Sequence, residues 1–190
     1  MNSVKRFFNQ VPLLILWLML CVILWGFVFT RITDTDRTHK IVICVNAETP
    51  GAAELEMKLD VQKSGDIRMI QVKPFTYAML DSSVLHDADL YIVQESEADQ
   101  FFEWFDPLPE SLTGSEKIWK KEETIYGVLF YQPEMGSNLY TQYISFRDEE
   151  GKTDNYFLFF GKNSLHIAGH DGAVDDEALH FARVLLSQEF

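Results

Sequence analysis

The chain has 190 residues, 47% of them hydrophobic, and carries 16 basic against 29 acidic side chains for a formal net charge of −13. So acidic a chain, whose longest basic run is the pair Lys120 and Lys121, is excluded as a nucleic-acid binder, because such binding draws most of its affinity from Lys and Arg on phosphates. Its two cysteines, Cys21 and Cys44, cannot build a disulfide framework, so stability has to come from packing.

Residues 11–30, VPLLILWLMLCVILWGFVFT, contain no charge and match the length a helix needs to cross the hydrocarbon core of a bilayer. Lys5 and Arg6 precede the run, whereas Arg31 and Arg37 beyond it are mixed with Asp34 and Asp36. This basic bias predicts residues 1–10 in the cytoplasm and the chain after the span outside. The run continues to Phe29 without a small-residue cleavage signal, which reads as an uncleaved, single-pass signal anchor in the cell membrane. Cys21 is a poor lipidation site, because Leu20 stands where a small residue is needed. Residues 31–39, RITDTDRTH, read as a polar linker, and residues 40–190 have a usual size for one domain.

KIVICVNA, from Lys40, is an apolar and β-branched run with the mark of a strand buried on both faces. Thr49 then suits a helix N-cap and Pro50 the first helical position. ELEMKLDV alternates as a strand does but consists largely of helix formers, which predicts a helix; the alternative is a hairpin turning at KSGD. DIRMIQV is the second predicted strand, FTYAMLDSSVLH a short helix and DLYIV a third strand. Ser96 followed by Asp99 has a capping-box pattern, which opens a further helix before the break at DPLPE. TIYGVLFY, YTQYISF, NYFLFF and LHIAG read as meandering antiparallel strands, and a last helix runs from Asp175 to about Ser187. The prediction is an α/β domain of three layers on a mixed sheet, parallel in its first half and antiparallel in its second.

Ligands of open α/β sheets sit beyond the carboxyl ends of the strands. Here that means Asn46, Glu48 and Thr49 after the first strand, Phe75 and Tyr77 after the second, and Glu95 and Ser96 after the third. Glu48 opposes an anion at the first helix, so a neutral polyol such as a sugar, stacking on Tyr77 and bonded to Asn46, fits better. The plainer alternative is that Asn46, Thr49 and Ser96 only cap and turn the chain. His166 and His170 with Asp171 have helical metal-ligand spacing, but Gly169 and Gly172 make the stretch a strand end and loop. DGAVDDE lacks the calcium-loop pattern, and Asp175 and Asp176 suit a helix N-terminus. No nucleophile motif stands out, so no catalytic residue, metal or cofactor is expected. Trp17 and Trp25 belong to the span, and Trp104 and Trp119 read as packing.

KIVICVNA, LHDADLYIV, FFEWFDPLPE and TIYGVLFY, in that order, resemble the first lobe of a bacterial extracellular solute-binding protein of the type 2 periplasmic-binding fold. The likeness covers residues 40–132 and resumes from 155 to the closing helix. A complete member of that family has two lobes that close on the ligand, and residues 133–154 are too few to hold a second. The resemblance therefore implies a reduced, membrane-tethered single lobe without hinge closure. It implies a binding module that captures a small solute for a transporter or sensor protein. The other reading is a pocketless accessory domain that docks an envelope protein.

Overall fold

The structure, a computed structural model, describes residues 2–33, 35–79, 83–109, 112, 117–135, 139–146, 153–170 and 172–187. It divides into two compact units, Met1–Asp36 and Arg37–Phe190. The first is a single helix, α1 (Asn2–Thr33), whose stretch Val11–Phe29 has a mean hydropathy of 2.7. That helix is long and apolar enough to cross a membrane, a form shared by membrane anchors and signal sequences.

The second unit contains, in chain order, β1 (Lys40–Val45), α2 (Ala52–Asp60), β2 (Met69–Pro74), α3 (Ser83–His86) and β3 (Leu90–Gln94). It continues with β4 (Phe105–Asp106), β5 (Ile118–Lys121), β6 (Thr124–Tyr131), β7 (Tyr156–Gly161) and α4 (Glu177–Leu186). The strands form one mixed open sheet of seven in the order β2-β1-β3-β7-β6-β5, with β4 also paired to β7. The β2-β1-β3 half is parallel, as the alternation of strands and helices predicts. β7, β6 and β5 follow antiparallel, each to its neighbour.

Two hydrophobic clusters, fed by alternate residues of the same strands, cover the two faces of the sheet. Ile41, Ile43 and Val45 point into the first with Leu55 and Leu59 of α2 and Phe181 and Leu185 of α4. Val42 and Cys44 point into the second with Leu85, Tyr91, Phe101 and Phe105. β7, YFLFFG, is buried along its whole length, which explains why its sequence is continuously apolar instead of alternating.

Several local expectations change. Residues 54–60 are helical, yet α2 starts at Ala52, and its N-cap is Gly51, not Thr49. A Cβ at Gly51 would lie 2.9 Å from the Tyr143 ring, so the chain turns there through the residue with no side chain. Ser96 caps no helix: the turn it precedes is a 3₁₀ helix, Ala98–Trp104, with Glu97 at its N-cap position. FTYAMLDSSVLH forms two pieces, a 3₁₀ turn Tyr77–Met79 and the four residues of α3, while residues 80–82 lie outside the described residues.

YTQYISF is no strand but a 3₁₀ turn, Thr141–Tyr143, with a lone antiparallel bridge from Ser145 to Glu48. Its Ile144 N–H bonds back to Thr141, which leaves no ladder to extend. LHIAG is a series of turns that ends at Gly169 with φ +99, and the His166 carbonyl there accepts from Ala178 N of α4. Arg37–His39, read as linker, is a 3₁₀ turn of the second unit: the Arg37 guanidinium pairs with Asp87 at 3.0 Å and donates to the Asn163 carbonyl at 3.0 Å.

Candidate functional site

The carboxyl ends of β1 and β3 lie on one edge of the sheet, and β6, two antiparallel steps from β3, ends on the same edge. Gln94 of β3 pairs with Tyr156 of β7, and Tyr156 with Tyr131 of β6, so one row crosses this edge. The predicted residues after β1 and β3 meet here. Asn46 extends the β1–β3 ladder through its N–H to the Ile92 carbonyl, and its amide donates to Glu97 at 3.1 Å. Glu95 accepts from the Asn155 amide at 2.7 Å, and the Ser96 N–H donates to Asp154 at 3.3 Å. These bonds fasten the turn after β3 to the chain entering β7.

Glu48 is exposed and holds Ser145 through its own carbonyl, which accepts the Ser145 N–H at 2.8 Å. The Thr49 hydroxyl is buried and has no hydrogen-bond partner among the described residues. The predicted residues after β2 go elsewhere. Phe75 is a core residue at 1% exposure, edge-on to Phe101 at 5.1 Å, so it contributes no surface to a ligand. Tyr77 is 57% exposed and lies 6.3 Å from Phe101, in the cluster of the second face.

On the first face, the segment 140–146 crosses the edge and bounds a groove of about 450 Å³. Among the described residues its lining is uncharged: Tyr131, Gln142, Ser145 and Thr153 are at least partly exposed, and Thr141, Ile144 and Phe146 are buried behind them. Tyr131 and Phe146 stack at 4.0 Å, and Pro50 closes the side toward the first corner. Tyr131 obeys the same carboxyl-end rule as Asn46. It was missed because two reversals separate β6 from β3, and a pair of reversals restores the strand direction without leaving a mark in the sequence. Gln142 and Thr153 reach the groove through loops that only the fold places.

At the other end of the strands lies a buried polar cluster. Asp89, 3% exposed, accepts from Val42 N at 2.8 Å and from the Ser164 hydroxyl at 2.6 Å. Burial raises its carboxyl above the ordinary value, and those two donors together with His166 and Arg37 restrain the rise. His166, also buried, sets Nδ1 at 2.8 Å from Asp175 and Nε2 at 2.9 Å from the Arg37 carbonyl. Ser164, His166 and Asp175 are the residue types of a nucleophilic triad, but the Ser164 hydroxyl donates to Asp89 and no ring nitrogen faces it. Next to the cluster is a cavity of about 100 Å³ between Arg37, Lys40, Gln71, Lys73, Asp87 and Asp89. The Cys44 thiol, pushed up to about 12 by burial, is protonated and inert at neutral pH.

His170 leans on Asp106 at 2.8 Å and ties its loop to β4. Among the described residues, no group of three or more His, Cys, Asp or Glu converges in a metal-binding arrangement. Compared with family models, curated proteins and solved structures, the chain has no match.

Proposed function

We propose that this protein is a binding module held to the membrane by α1, with the unit from Arg37 onward outside the cell, and that it takes a small uncharged polar solute such as a sugar in the groove at the carboxyl edge. The observation that carries the reading is the groove's chemistry. In a chain of net charge −13, its described walls hold aromatic rings, hydroxyls and an amide and no charge. The partly exposed Tyr131 ring, backed by buried Phe146, with Ser145, Thr153 and Gln142 beside it, suits a polyol, which offers a C–H face to stack and many hydroxyls to pair. The site sits where open α/β sheets place ligands. A single lobe binds without hinge closure and presents its solute to a transporter or sensor protein.

A thermal-shift screen of the full chain in detergent, against neutral sugars, amino acids, short peptides and divalent cations, tests this. A sugar at a hundred times its dissociation constant adds about 2.7 kcal/mol of stability, and the double variant Tyr131→Ala, Ser145→Ala abolishes the shift. A sugar shift that survives in that variant would remove the groove from the site.

One observation favours the alternative of a docking domain for an envelope protein: the chain already covers its own first corner. Ser145 bridges to Glu48, and Gly51 N–H donates to the Tyr143 carbonyl at 3.3 Å. A flat solute screen, together with a cross-linked partner that the Tyr131 variant no longer captures, would decide for that reading.

A further inference from the structure

The ring of His166 lies between two groups that can only accept. Nδ1 is 2.8 Å from Asp175 Oδ1, and Nε2 is 2.9 Å from the backbone carbonyl oxygen of Arg37. A neutral imidazole carries one N–H and one lone pair, so in that form one of the two contacts sets lone pair against lone pair. A carboxyl proton placed between Asp175 and the ring does not change this, because imidazole is a stronger base than a carboxylate and takes that proton, which gives the same imidazolium–carboxylate pair. The ring is 1% exposed, so no bulk water can substitute for the missing donor. Only the imidazolium, with two N–H groups, satisfies both partners.

The surrounding charges agree. Asp175 faces the ring from the segment before α4, and Asp89, from the segment before β3, acts on it through space; Asp89 is bonded to the Ser164 hydroxyl, which accepts the backbone N–H of His166 at 3.1 Å. The Arg37 guanidinium is held by Asp87 and the Asn163 carbonyl, and Lys40 and Lys73 line the cavity beside Asp89. Burial by itself pushes the imidazole down, and the Arg37 carbonyl, Asp89 and Asp175 more than reverse it, so His166 titrates above the ordinary histidine value.

The three segments joined by this ring are the entry into the second unit at Arg37, the turns after β7 and the start of α4. We propose that His166 is a proton-operated clasp: as an imidazolium it fastens the entry turn Arg37–His39 and the start of α4 to the sheet, and on losing its proton it loosens the entry turn. Arg37 keeps Asp87 and Asn163, so the turn frays instead of detaching; each full opening adds three residues, about 10 Å of extended reach, to the connection between the apolar helix and β1. The clasp thus couples pH to how firmly the entry turn is held, independently of what the groove binds; that the pH sensed is the external one rests on the orientation proposed above.

The test is NMR on the full chain in detergent micelles, with ring-nitrogen spectra resolving His166 from His39, His86, His170 and His180. His166 should keep both ring protons at pH 6.5, where an ordinary histidine is half titrated. As it deprotonates at higher pH, the Arg68 amide, which donates to the His39 carbonyl at 2.8 Å, should lose roughly tenfold in hydrogen-exchange protection beyond the intrinsic effect of pH, while amides of β3 and β7 hold theirs. The variant Asp175→Asn keeps an acceptor at the same place and removes the charge, and should lower the His166 midpoint. A His166 with a single ring proton at pH 6.5, or a titration that leaves Arg68 protection unchanged, would overturn the proposal.

Discussion

Gly161 ends β7 against the turn that leads into β3, and a Cβ built on it would lie 1.9 Å from the Ala88 carbonyl oxygen. That oxygen belongs to the backbone beside Asp89, so it cannot move aside without disturbing the buried carboxylate and its bonds to Val42 and Ser164. Gly161→Ala is therefore expected to cost about 3 kcal/mol in chemical denaturation, far more than the change of one methyl on an open strand. Gly169, around which a Cβ would meet nothing within 4 Å, is the contrasting case, and its φ of +99 makes its cost one of backbone conformation alone. Neither difference is visible in the residue type. Asn46 and Ser96 teach the same lesson: both stand where the sequence puts them, after β1 and β3, but their partners, Glu97 and Asp154, are set by tertiary contacts.

Among the elements, α4 is the most completely specified by its sequence. Ala178, Leu179, Phe181, Ala182 and Leu185 form a helical stripe, and all five are buried against the first face of the sheet, while Arg183 is exposed. Phe181→Ala should cost about 4 kcal/mol of stability, and Arg183→Ala less than about 0.5 kcal/mol, both measured by urea denaturation. Comparable losses in the two variants would mean that α4 does not dock by this stripe. The sheet's outer strands are guarded in different ways. On β2 the Glu56 carboxylate accepts the Val72 N–H at 2.7 Å, and β5 is short, shifted in register between Trp119 and Lys120, and ends in two lysines. Both devices discourage a further strand from adding to the sheet.

For the whole molecule, the buried ionisable groups set the sign of the pH response. The folded chain holds the His166 proton above the ordinary value, so that contribution to stability is complete below about pH 6.5 and is lost as the pH climbs through the folded value. Asp89, also raised, has the same sign: its contribution is present below the ordinary 3.8 and is lost as the pH rises through its folded value. Melting temperature should therefore fall from neutral to alkaline pH. His166→Asn should flatten that slope relative to the parent chain, since both share the same background of acidic self-repulsion. An identical slope in the two proteins would show that His166 does not contribute.

Features that depend on neighbours along the chain are legible in the residues alone. The apolar run that makes α1, the apolar stretches of β1, β3 and β7, the strand–helix alternation of the parallel first half, and the stripe of α4 all follow from local composition and periodicity. What is not legible there depends on distant segments meeting. Phe75 was legible as a residue after a strand and not as the core residue that its packing on Phe101 makes it. The groove joins Pro50, Tyr131, Ser145 and Thr153, and the histidine cluster joins Arg37, Asp89, His166 and Asp175. Those groupings exist because β7 crosses back to lie beside β3 and carries its flanking loops to both ends of the sheet. Chain reversals of this kind are selected by burial of both sheet faces at once, a property of the whole packing that no single stretch of residues records.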